Sequence, residues 1–141
     1  MSDQPSSDPR SDDPSINNEV GLYRRVHPKF LVPDENRDCI RLTSGAFQGT
    51  ETSVALGDDL DRLGIPPELI LVGYEERGYA LVVLPAGAAR QAEQAVCRDH
   101  KPDDETHGLI AGKKTGSKQR ALARSSAWVV APPNGCEPPA V

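Results

Sequence analysis

Aromatic residues make up 4% of this chain and Trp128 is its only tryptophan, so the core has to be built from Leu, Val, Ile and Ala and is modest in size. No apolar run reaches the roughly 18 residues that a membrane-spanning helix needs. The first residues are acidic and polar where a secretory signal would be basic and then apolar. These absences point to a cytoplasmic protein with no membrane partner. Cysteine is scarce and odd in number. Cys39, Cys97 and Cys136 stand in no CxxC or Cys/His ligand spacing, so neither a disulfide framework nor a zinc site is expected, and all three are read as reduced. GxSxG and HExxH motifs are missing as well, which leaves hydrolase and metalloenzyme chemistry without a specific signal. No cofactor is expected.

What the chain does have is charge, unevenly placed. Its 141 residues, enough for one domain, carry a net charge of −5. Residues 1–21 hold Asp3, Asp8, Asp12, Asp13 and Glu19 against Arg10 alone, whereas residues 107–131 hold Lys113, Lys114, Lys118, Arg120 and Arg124 with no acid. An acidic leader and a basic face can attract each other or share a partner. The acidic total and the lack of aromatic runs argue against nucleic-acid binding.

Residues 1–21 are Ser, Asp and Pro with few apolar side chains, the composition of a disordered acidic leader. Residues 133–141 read as a disordered proline-rich tail, leaving 22–132 as one domain. Within it, Leu22, Arg24 and Val26 alternate as a strand does before Pro28 stops them. "DCIRL" and "ETSVAL" are further extended pieces, and Asp58 to Leu63 is a short helix stopped by Gly64 and Pro66. "ALVVL" is the strongest strand and belongs inside a sheet, with Trp128 packed near it. "AGAARQAEQAV" favours a short helix, "HGLIAG" a strand, "SKQRALARSSA" an amphipathic helix with Ser117 as N-cap, and "WVVAPP" a last strand. This order gives an α+β class: one small domain with a mixed or antiparallel sheet and short helices, flanked by disordered tails.

"HGLIAGKKTGSK" has the look of a phosphate loop and fails its test. Gly112-Lys113 is followed by Lys114 where Ser or Thr belongs, and His107 stands where the first glycine belongs. What survives is a charge-based anion site of Lys113, Lys114 and Lys118 around a helix start. The groups most able to do acid–base chemistry near neutral pH are the histidines. His27 and His107, if joined by Thr43, Ser44 and Arg25, would supply a base, hydroxyls and an oxyanion partner, and these five are the candidate catalytic residues.

Taken in order, "YRRVHPKF", "RLTSGAFQ", "TSVALGDDL" and "RDHKPDDETHGLIAGKK" resemble an uncharacterised family of small bacterial proteins. Its marks are Arg-x-His-Pro, (Ser/Thr)-Ser-x-Ala-Phe and a late proline ahead of a histidine and an apolar strand. The resemblance spans Leu22 to Pro132 and implies no activity, cofactor or partner. The expected function is therefore a small cytoplasmic interaction or accessory module with a protein partner. The alternative is an enzyme, or a binder of small anions or nucleotides, using the Arg/His/Ser/Thr pocket.

Overall fold

The computed structural model describes residues 10–141. Among them, alternating apolar residues build eight strands, and short amphipathic or alanine-rich runs build three helices. In chain order these are β1 Gly21–Val26, β2 Leu31–Asp34, β3 Cys39–Leu42, β4 Glu51–Leu56, α1 Gly57–Leu63, β5 Ala80–Pro85, α2 Ala86–Gln91, β6 Ala95–Arg98, β7 His107–Ala111, α3 Gly116–Arg124 and β8 Ala127–Val130. Six strands form a sheet in the order β6-β7-β4-β1-β5-β8, and β2 and β3 form a separate hairpin. Every ladder is antiparallel, so the α+β expectation holds with the antiparallel option.

Period-two alternation puts Leu22 and Val26 of β1, Val54 and Leu56 of β4, Val82 and Leu84 of β5 and Ile110 of β7 in one buried cluster. Phe47, Ala86, Ala89, Leu122 and Ala123, from α2, α3 and the 3-10 turn Ser44–Phe47, complete it. At a closely packed point of this face, a Cβ on Gly108 would stand 2.7 Å from the Leu56 side chain. The opposite face is covered in part by α1, against β1 and β4, and by the 3-10 turn Pro67–Leu71, against β1, β5 and β8. β5 lies between β1 and β8, and Val82 stands opposite Trp128.

Four expectations are corrected. The described part of the leader, residues 10–21, is docked: Ile16 is fully buried in the main cluster, and Asp13 N donates to Val96 O on edge strand β6. Asp12 accepts from Val96 N and from Arg90 Nε, so short polar side chains finish an edge that composition alone does not reveal. Residues 1–9 of that leader lie outside the described residues. At the other end, residues 133–141 are tied to β3 through Asn134 O to Ile40 N, Cys136 N to Ile40 O and Pro139 O to Leu42 N. Proline lacks a donor but keeps its carbonyl, so a proline-rich end can still dock as an acceptor. Cys39 and Cys136 are joined in a disulfide across 97 residues, leaving Cys97 as the buried free thiol. Finally, α3 is capped by Thr115, whose hydroxyl accepts from Lys118 N, and Ser117 lies inside the helix.

Candidate functional site

The six-stranded sheet divides between β1 and β4. β1 pairs with β5 along all of Gly21–Val26 and β4 pairs with β7 along Glu51–Ala55, but β1 and β4 meet only at Leu22–Leu56 and Tyr23–Ala55. Beyond that point the strands diverge, and Arg24 spans the fork. Its Nη1 donates to Ser53 O at 3.0 Å and its Nε to Ala46 O at 3.1 Å. Burial, and then the neighbouring Arg25, lower the Arg24 pKa. A groove of about 630 Å³ opens over this fork.

One wall of the groove is cationic and aromatic. The Arg25 guanidinium lies 4.3 Å from the Tyr74 ring centre and donates to Ile70 O at 2.8 Å. Tyr79 meets both Tyr74 and His27 edge-on at 5.1 Å, and Arg77 sits 5.2 Å from the centres of both tyrosine rings. Such stacking orders long side chains at small entropic cost. Leu60 and Ile65 supply an apolar lining, while Leu69 and Val72, also lining it, are 55% and 63% exposed. Large apolar side chains this exposed on a groove edge are the informative kind.

The two histidines on the groove have complementary protonation. His27 Nδ1 accepts from Lys29 N at 3.0 Å, so its neutral ring carries the proton on Nε2 and can donate there. His107 Nδ1 lies 3.0 Å from Asp99 O and 3.1 Å from its carboxylate, so its neutral ring carries the proton on Nδ1 and can accept at Nε2. Lys101, hydrogen-bonded to Asp99, and then His107 hold the Asp99 carboxyl below the usual range against its partial burial. Asp104, also on the groove, is raised by burial but held low overall by hydrogen bonds from Thr106 and by the charges of His107 and Arg25.

Of the sequence candidates, Arg25, His27 and His107 line this one groove. Thr43 and Ser44 do not join them. Ser44 starts the turn Ser44–Phe47 and lines a separate cavity, and Thr43 stands at the turn's N-terminal end. Among the hydroxyl residues that do line the groove are Thr106 and Ser53, the latter two pairs along from Ala55, the residue opposite His107. Tyr74, Tyr79, Leu69 and Val72 were missed. The signal was available in "PELILVGYEERGY", where apolar and aromatic residues follow no helix or strand period.

The three lysines do not form one anion site. The Lys114 ammonium donates to Gly49 O, Ile110 O and Gly112 O at 2.9, 2.9 and 3.3 Å, closing the end of the β4–β7 ladder. Burial, and then Arg24, push its pKa down to about 8, with Glu51 opposing. Lys118 pairs with Glu93 at 3.1 Å, leaving Lys113 exposed by itself. Among the described residues no group of three or more His, Cys, Asp or Glu could hold a metal ion, and no helix is long and apolar enough to cross a membrane. Compared with protein-family models, curated proteins and solved structures, the chain matches none.

Proposed function

We propose that this chain is an interaction module that captures an extended segment of a protein partner, one combining acidic and apolar side chains, along the β1–β4 fork. The observation that carries the reading is the pairing of a fixed cationic–aromatic wall, Arg25 on Tyr74, with Leu69 and Val72 left exposed at the same groove. Arginine stacked on tyrosine presents its remaining donors to a carboxylate with little further loss of freedom. The diverging strands expose an edge along which an extended segment can lie, with Arg24 closing the floor beneath it. The complementary histidines add one donor and one acceptor for a peptide group. Display of random peptides to the full chain tests this. Enriched sequences should place an acidic and an apolar residue two positions apart, as an extended strand does, and should lose binding to Arg25→Gln.

A second reading, an enzyme, rests on the Asp99–His107 pair lining the same groove as Ser53, since an oriented imidazole that can reach a hydroxyl is the arrangement that activates a nucleophile. Labelling of Ser53 by a fluorophosphonate, lost in His107→Ala, would favour it over the module. The Cys39–Cys136 disulfide counts against the cytoplasmic expectation for this module. An oxidised pair fits a compartment outside the cytoplasm.

A further inference from the structure

Besides its lysines, the basic stretch 107–131 carries two arginines that neither the groove nor the β4–β7 end uses. Arg120 and Arg124 stand one helical turn apart on α3, where like charges repel. Both line a second cavity of about 520 Å³, and Arg41 of β3 lines it too. The side chains of these three arginines make no ion pair or hydrogen bond with any described residue. The contrast with the rest of the chain is sharp, because Arg24, Arg25, Arg37, Arg62, Arg90 and Arg98 are all engaged. Ser44 lines the cavity too, since α3 packs on the turn Ser44–Phe47. Two carboxylates border it, but Asp34 is engaged by Arg37 at 3.0 Å, leaving Glu35 against three guanidinium groups.

We propose that this cavity binds a phosphorylated small molecule, its phosphate oxygens held by Arg41, Arg120 and Arg124 with Ser44 as a further donor. Guanidinium forks match phosphate oxygens two at a time, and three of them on one concave site call for a ligand carrying more than one negative charge. The volume falls within the range of small-ligand sites, roughly 300–1,000 Å³. Pro33, Leu42 and Ala140 give the non-phosphate part of the ligand an apolar surface. The site is distinct from the groove and does not rest on the peptide reading: the turn Ser44–Phe47 lies between them, with Ser44 on the cavity and the Ala46 carbonyl bonded to Arg24 on the groove.

The test is isothermal titration of the full, disulfide-bonded chain with pyrophosphate and with ADP at physiological salt. Saturable one-site binding of at least one probe is expected. Arg41→Gln, Arg120→Gln and Arg124→Gln should each weaken it by about tenfold or more, the size expected for a lost charge-assisted hydrogen bond. Lys113→Ala should leave it unchanged. Because the three guanidinium groups have no ion-pair or hydrogen-bond partner among the described residues, all four variants should melt with the parent, which separates lost binding from lost folding. The absence of saturable binding with both probes would overturn the proposal. So would an equal loss in Lys113→Ala, or tighter binding of a DNA oligomer that also depends on Lys113, since either assigns the effect to diffuse positive charge.

Discussion

Opening the Cys39–Cys136 bond is the perturbation whose consequence can be worked most directly from the structure. The bond joins residues 97 apart, so β4 to β8 and all three helices lie within the loop it closes, with β1 and β2 outside it. For a loop of about 100 residues, the lost freedom of the unfolded chain amounts to about 4.7 kcal/mol at 25 °C. The folded ends keep other ties without the bond, among them Trp128 Nε1 to Cys136 O at 2.6 Å and Arg37 Nη1 to Pro138 O at 2.7 Å. The native fold should therefore persist, with stability lowered by about 3–5 kcal/mol, chiefly through the unfolded state. For a chain of this size that corresponds to a drop in Tm of about 10–20 °C. Calorimetry of the Cys39→Ser/Cys136→Ser variant, beside the parent with and without reductant, reads it. The reduced parent and the variant should agree. Melting of both within about 2 °C of the oxidised protein would refute the reasoning, because a cross-link of this span cannot be neutral unless the unfolded ends already lie together.

Ile16→Ala should cost about 2–4 kcal/mol, the usual range for truncating a fully buried isoleucine, and a chain starting at Val20 should lose at least as much. Gly108→Val should destabilise by about 1–3 kcal/mol through overpacking on Leu56, read by chemical denaturation. The Arg98 hydrogen bond and charge hold the Asp58 carboxyl below its ordinary 3.8 in the folded state. Its contribution is thus complete above that pH and lost as pH falls through the folded value, so the stability gap between parent and Asp58→Asn should close in acid. Lys114 contributes with the same sign in a higher pH window. With a folded pKa of about 8 against 10.5, the unfolded chain holds more protons between those values, so the parent should gain stability relative to Lys114→Met as pH rises through that window. A constant difference across the window would show that the folded amine keeps its proton.

The elements with a strong local period were legible in the sequence. β1, β4, β5, β7, α1 and α2 follow from alternation, alanine content and flanking glycine or proline. β2 was hidden because its four residues include Pro33, and the docked ends were hidden because their composition is that of a tail. Ile16 is one apolar residue among Ser, Asp and Pro, and its burial depends on a cluster built by distant strands. The Cys39–Cys136 pairing has no spacing signature at a separation of 97 residues. In the site, Arg25, His27 and His107 line one groove, but that convergence arises from the parting of β1 from β4, which no local pattern encodes. Thr43 and Ser44 fell away for a geometric reason: the turn they begin puts Ser44 on the α3 cavity.

The recognition role of the β1–β4 fork is tested most directly by titrating the full, isotope-labelled chain with a display-selected acidic–apolar peptide and following backbone amide shifts by NMR. Peptide bound in the groove should shift the amides of Ser53, Ile70, Tyr74 and His107, and should bind about tenfold or more weakly to Arg25→Gln and to Leu69→Ser/Val72→Ser, with Lys113→Ala unaffected. Shifts confined to surfaces away from the fork, or equal affinity across all three variants, would contradict it.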